Sequence, residues 1–280
     1  MTDISTLRLP SGDVIPILGQ GTWEMGESPA DRAEELRALR LGVDLGMTLI
    51  DTAEMYGNGA AEDLVGEAIE GRRDEVFLVT KVLPMNATRT GTIEACERSL
   101  KRLRTDRLDL YLLHWRGRAP LEGTIEAFGE LMDAGVIRGW GVSNFDVLDF
   151  ADVLTSAGGD AVQTDQVLYN LAHRGIEFEL LPWCRERGMP LMAYSPIDRG
   201  SLVQDEVVVE IAEKHNATPA QVALAWVLRQ DDIFAIPKAS IHEHVRENRE
   251  ALDVHLDHED LKLIDELFPP PKRPQPLEII

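Results

Sequence analysis

Lysine is scarce in this chain of 280 residues: Lys81, Lys101, Lys214, Lys238, Lys262 and Lys272 are all it has. Cationic residues number 28 against 49 Asp and Glu, giving a formal charge of −21. Nucleic-acid backbones are bound by clustered Lys and Arg, so this balance argues against a nucleic-acid partner. Abundant carboxylates with few lysines suit either a surface adapted to high salt or an arginine-preferring genome. Both readings stand, because net charge speaks to solubility rather than fold. Cysteine is scarcer still. Cys96 and Cys184 lie far apart and match neither a metal nor a redox spacing, which predicts buried thiols in a reducing, cytoplasmic setting. No apolar run approaches the roughly 20 residues that cross a bilayer, and MTDISTLRLP lacks the apolar core of a signal peptide. Also missing are a Gly/Ser-rich linker, a low-complexity stretch and an internal repeat. One domain over residues 1–280 is expected, with the Pro-rich residues 269–280 as an exposed tail. No strong dimer helix is visible, so a monomer is the expectation.

What is present is alternation. Residues 7–17 carry two apolar runs separated by Pro10, Ser11, Gly12 and Asp13, the pattern of a β-hairpin. Strand-like runs follow at 17–21, 48–51, 76–81, 108–113, 138–142, 161–166, 190–194 and 233–237. Several are almost continuously apolar, as strands buried on both faces are. Each is followed by apolar spacing of three and four residues, the helical pattern, at 31–45, 61–69, 91–103, 121–134, 146–154, 177–187, 219–228 and 241–252. Asp31 is the expected N-cap of the first helix; Thr218 before Pro219 reads as a cap with Pro at the first helical position. Eight strand–helix alternations predict an α/β fold, a (β/α)8 TIM barrel with an N-terminal hairpin. An open doubly wound sheet is the competing architecture. It usually carries a Gly-rich phosphate loop after the first strand, and GQGTWEMG (19–26) does not supply it.

In a parallel barrel the carboxyl ends of the strands gather on one face, where ligands bind. Asp51 ends TLID, Lys81 ends VFLVTK, His114 ends LDLYLLH, and Tyr56 follows Asp51 in the next turn. A lysine among packed apolar side chains requires a counter-charge, which Asp51 supplies. Taken alone, that pair could be a purely structural ion pair. Tyr56 adds a weak acid: a nearby ammonium stabilises the phenolate, which predicts a lowered phenol pKa and a proton donor for a developing alkoxide. His114 then orients a carbonyl oxygen against the phenol.

The same residues carry a resemblance. IDTAEMYGN (50–58), TKV around Lys81, LYLLHW (110–115), GVSNF (141–145), AYSP (193–196) and IPKA (236–239) occur in the order of the aldo-keto reductase motifs. The match covers about residues 18–248, and the chain resembles the short-loop prokaryotic members. The resemblance implies NAD(P)H-dependent interconversion of aldehydes or ketones with alcohols by hydride transfer. Tyr56 is then the proton donor, Asp51 and Lys81 tune it, His114 orients a small-molecule carbonyl substrate, and no metal is required. Ser143, Asn144 and Gln166 would bond the carboxamide and Tyr194 would stack on the nicotinamide, with Gly21 and Thr22 beside it. The segment from Ser195 through Pro196, Ile197, Gly200 and Ser201 to Leu202 would follow the pyrophosphate. Pro237, Lys238, Ala239, Ser240, His244, Glu247 and Asn248 would hold the adenosine end. Trp23, Met55 and Trp115 would wall an apolar substrate pocket for small or medium aldehydes. One position departs from the pattern: NADPH-preferring members commonly carry an Arg where His244 stands, with Arg246 two residues on. NADPH is the favoured cofactor, with NADH use also open. The alternative to an enzyme is a catalytically weak NADP-binding regulatory subunit on the same fold. A metal-dependent hydrolase finds no support, since His242 and His244 have no third ligand nearby in sequence.

Overall fold

The computed structural model describes residues 4–280, the side chains of residues 202–204 excepted; the cofactor assignment of Leu202 falls outside these described side chains. The hairpin expected at 7–17 forms from β1 (Thr6–Arg8) and β2 (Val14–Pro16), paired antiparallel. The eight expected strands follow as β3 (Gln20–Gly21), β4 (Leu49–Asp51), β5 (Phe77–Val82), β6 (Leu108–Leu113), β7 (Ile137–Ser143), β8 (Val162–Leu168), β9 (Leu191–Tyr194) and β10 (Ile233–Ala235). They are parallel and adjacent in chain order from β3 to β10. Bridges from Leu18 to Ala235 and from Gly21 to Lys238 join the two ends into a barrel.

Alternation along the strands decides what the barrel holds. Leu49, Val79, Leu110, Leu112, Met192 and Phe234 form one apolar cluster inside it, and Leu9 and Ile15 beside the hairpin turn pack onto the same cluster. Two residues further along their strands, on the same face, come Asp51, Lys81 and His114. The lower barrel is therefore a packed apolar floor, and the first charged layer appears only at the carboxyl ends. The opposite faces of the strands build the larger cluster against the surrounding helices.

The helices are α1 (Arg32–Asp44), α2 (Ala60–Ala68), α3 (Arg89–Leu103), α4 (Leu121–Asp133), α5 (Val147–Thr155), α6 (Leu180–Arg185), α7 (Glu206–Lys214), α8 (Pro219–Leu228), α9 (His242–Glu250) and α10 (His258–Leu267). Thr218 caps α8 in a capping box with Gln221, as expected. Asp31 occupies the N-cap position of α1, but its side chain makes no capping bond because its own backbone is already helical (φ −92, ψ −19). Helix α3 starts two residues earlier than expected, since Thr88 accepts from the Gly91 amide at 3.1 Å. The helix expected at 177–187 shortens to α6, preceded by a separate turn at Gly175–Glu177. Helices α7 and α10 were not expected, although Asp205 and Asp257 cap them with side-chain bonds. Among the described residues no helix is long and apolar enough to cross a membrane. The Pro-rich tail is largely exposed, as expected, yet Leu277 packs against the helix-side core.

Candidate active site

The Tyr56 side chain is delivered by a turn that few sequences permit. After β4 the chain runs through Tyr56–Gly59, where Gly57, Asn58 and Gly59 have φ of 55, 52 and 95° in succession. Glycine and asparagine tolerate this left-handed region at least cost, which is why YGNG stands here. The turn is locked from below. Arg102 packs so closely on Gly59 that a Cβ there would lie 2.5 Å from its Cδ. Arg102 in turn bonds buried Glu62 on α2, and Glu62 accepts from Thr80 at 2.6 Å, next to Lys81 on β5.

Lys81 is fully buried, Asp51 is 1% exposed and His114 7%. The ammonium donates to Asp51 Oδ2 at 2.7 Å, to the Thr52 carbonyl at 2.9 Å and to the Tyr56 hydroxyl at 3.1 Å. A lysine has three donors and no acceptor, so these bonds use it completely and force the phenol oxygen to accept. The phenol's own proton is thereby left for another acceptor. Asp51 Oδ1 accepts from Gln166 Nε2 at 2.7 Å. Gln166 was expected only at the carboxamide; the structure ties its amide nitrogen to the acid of the tetrad.

Burial pushes the Lys81 ammonium down, and the Asp51 carboxylate with Tyr56 more than restores it, so the lysine stays charged. Burial likewise raises the Asp51 carboxyl against the pull of Lys81. For Tyr56 the expected lowering does not appear. Burial pushes the phenol above its ordinary value, and Lys81 offsets only part of that. The phenol is accordingly protonated at neutral pH, the state a proton donor requires. The ammonium limits the cost of the phenolate left after donation.

His114 stands edge-on to Tyr56, ring centroids 5.7 Å apart. Burial, with Lys81 nearby, pulls its pKa down to about 2, so the imidazole is neutral across the physiological range. Among the described residues its buried Nδ1 has no hydrogen-bond partner. The pH profile follows from this. Because His114 titrates far below 6.5 in the folded protein, kcat/KM for a neutral aldehyde shows no ionisation step near pH 6.5; a step centred there would contradict this environment.

The remaining expected residues divide into three groups. Ser143, Asn144 and Tyr194 form one network with the tetrad's rim. Ser143 donates to the Gln166 carbonyl at 2.9 Å, Asn144 donates to the His114 carbonyl at 3.2 Å, and the Tyr194 hydroxyl donates to Asn144 Oδ1 at 3.0 Å. Asn144 itself has φ 59°. Thr22 donates to the Asp51 carbonyl at 2.9 Å, and Gly21 passes so close to β10 that a Cβ would lie 2.6 Å from the Ile236 carbonyl oxygen.

The second group is the loop after β9, holding Ser195, Pro196, Ile197, Gly200 and Ser201. Ser195, Asp198, Arg199 and Gly200 all have positive φ, and among the described residues no atom lies within 4 Å of a Cβ built on Gly200. Backbone of changing hand forms concavities of N–H groups that suit phosphate oxygens, so the loop fits a diphosphate. The third group lies beyond β10: buried Pro237, exposed Lys238, then Ala239 and Ser240, with exposed His244, half-buried Glu247 and buried Asn248 on α9. Among the described residues none of this group bonds the tetrad. Trp23 stacks on Tyr56 at 6.1 Å and Trp115 packs on His114 at 5.0 Å, while Met55 is exposed nearby in sequence. One participant was not expected, Thr52, which works through its carbonyl; Arg199, within the segment expected along the pyrophosphate, instead places its guanidinium 4.7 Å from the Trp23 ring centre.

Residues 17–268 match the Aldo/keto reductase family. The chain belongs to that family. This aldo-keto reductase is 50% identical over 276 residues to the methylglyoxal reductase YeaE of Escherichia coli K12, covering 96% of this chain and 97% of that protein. It is 37% identical to the glyoxal reductase of Bacillus subtilis, covering 94% and 92% of the two chains. Its fold superposes with a TM-score of 0.97 on an aldo-keto reductase from Klebsiella pneumoniae in complex with NADPH, at 47% identity over the whole of both chains. The aldo-keto reductase is an oxidoreductase with the (β/α)8 architecture that its strand pattern indicated.

Proposed function

We propose that this aldo-keto reductase uses NADPH to reduce small carbonyl compounds, with 2-oxoaldehydes such as methylglyoxal foremost. The observation that carries the reading is the fully bonded Lys81 ammonium, which makes the Tyr56 oxygen an acceptor and leaves the phenol's own proton for a substrate oxygen. Bound at this mouth, NADPH supplies the hydride. Tyr56 gives its proton to the carbonyl oxygen as negative charge develops there. Neutral His114 orients that oxygen, and Asp51 keeps Lys81 charged. Ser143, Asn144 and Gln166 hold the carboxamide side, Tyr194 and Thr22 flank it, and the Ser195–Gly200 loop receives the diphosphate. The identity to a methylglyoxal reductase and the NADPH complex of a similar structure support substrate and cofactor. The same reading has the enzyme working on small molecules as a cytoplasmic monomer.

The adenosine end decides between NADPH and NADH. Lys238 is exposed and, among the described residues, forms no ion pair, so its charge is available for a 2′-phosphate even with His244 in place of an arginine. NADPH is expected to give the higher kcat/KM with methylglyoxal. Lys238→Met raises the KM for NADPH roughly tenfold and leaves that for NADH in place. Equal use of the two cofactors by the wild type, or equal response of both to the substitution, would contradict the NADPH assignment.

A further inference from the structure

Most arginines of this acidic chain are spent on carboxylates. Arg72, Arg73, Arg102, Arg107, Arg174 and Arg185 each pair with a carboxylate at 3 Å or less. Arg199 is different. It sits in the left-handed stretch after β9, with φ 52°, and forms no ion pair among the described residues. Its guanidinium lies on the face of Trp23, 4.7 Å from the ring centre. Trp23 is in turn stacked on Tyr56, with only 17° between the planes. Burial pushes the Tyr194 hydroxyl up to about 12, and the charge of Arg199 pulls weakly the other way.

Asp198 and Glu278, which flank His173, are engaged with other groups. Asp198 is held by the Ser201 hydroxyl and lies 3.7 Å from His173 Nε2; Glu278 approaches His173 Nδ1 at 3.1 Å. Across the mouth, Arg116 faces Asp149 and Asp152 at 3.9 and 3.5 Å. A guanidinium held over an indole and without an ion pair among the described residues still has N–H donors to offer, and their fork matches a carboxylate. With a net charge of −21, such an unspent cation over the tryptophan that stacks on the phenol changes how an anion meets the site.

We propose that Arg199 is a specificity-determining residue that selects carbonyl substrates bearing a carboxylate, held apart from the carbonyl by a short aliphatic chain. The carbonyl end is placed by Tyr56 and His114 and the carboxylate end by the guanidinium on Trp23. Recognition is then two-pointed, which orients the substrate as well as binding it. The inference rests on the carbonyl-reductase reading above and adds the class of substrate.

The test compares butanal with 4-oxobutanoate, aldehydes of equal chain length that differ in the carboxylate. Wild type, Arg199→Gln and Arg199→Lys are assayed with saturating NADPH, and the quantity read is the ratio of the two kcat/KM values. Arg199→Gln is expected to lower the 4-oxobutanoate to butanal ratio roughly tenfold, the loss of one charge-assisted contact. Arg199→Lys retains part of the preference, and added salt compresses the wild-type ratio toward that of the Gln variant. A ratio unchanged by Arg199→Gln overturns the proposal. So does a rise in the KM for NADPH with the ratio constant, which would assign the guanidinium to the cofactor diphosphate. Wild type that turns over neither aldehyde contradicts the carbonyl-reductase reading itself, a separate outcome from a failed ratio.

Discussion

Tyr56→Phe lowers kcat/KM for aldehyde reduction by roughly 10²–10⁴-fold, the usual worth of a positioned acid, and leaves NADPH binding intact. The substitution removes one oxygen and keeps the ring. The stack on Trp23 and the edge contact with His114 depend on the ring, not the hydroxyl, so the walls of the site stay in place. What is lost is, among the described residues, the one phenol that Lys81 contacts. Steady-state rates with methylglyoxal, alongside titration of NADPH by protein fluorescence, separate the two quantities. Near-wild-type rates with bound NADPH would remove Tyr56 from the chemistry.

Lys81→Met is expected to act on stability as strongly as on rate. Asp51 is almost wholly buried, and among the described residues its Oδ2 is bonded to Lys81 alone, at 2.7 Å. Removing one member of a buried ion pair strands the other, at a cost of about 3–5 kcal/mol. For a chain of this size that lowers the thermal midpoint by on the order of 10 °C. Adding Asp51→Asn removes the stranded charge, and the double variant recovers most of the lost midpoint while remaining inactive. Differential scanning fluorimetry of the three proteins reads the pattern. A single variant as stable as wild type would mean that Asp51 is not confined as described; a double variant no more stable than the single would place the loss outside the charge pair.

The strands that carry Asp51, Lys81 and His114 were legible because a buried parallel strand is a short apolar run, and a polar residue ending one is conspicuous. Tyr56 was legible for a second reason, the glycines and asparagine that follow it. Four things were not legible. Whether burial or Lys81 dominates the Tyr56 phenol depends on how much water the closed mouth admits, and no spacing encodes that. The bond from Gln166 to Asp51 crosses the barrel between residues 115 apart, and Thr52 acts through a backbone carbonyl that any residue possesses. Arg199 sits among turn residues of a loop whose left-handed backbone swings it onto Trp23, a contact only the folded mouth creates. Helices α7 and α10 are a plainer omission: Asp205 and Asp257 stand as N-caps before regularly spaced apolar residues, so the signal was present. Asp31 errs the other way, a cap residue in a cap position whose helical backbone turns its side chain away.

The central claim is that the bonded Lys81–Tyr56 pair makes this barrel a reductase rather than a passive binder of nucleotide. The most direct measurement follows NADPH absorbance after methylglyoxal is added to purified enzyme, on a sample whose NADPH binding has first been shown by fluorescence. Consumption of NADPH matched by formation of the alcohol, and abolished in Tyr56→Phe, is the predicted result. Tight NADPH binding with no consumption across methylglyoxal and other small aldehydes would contradict it.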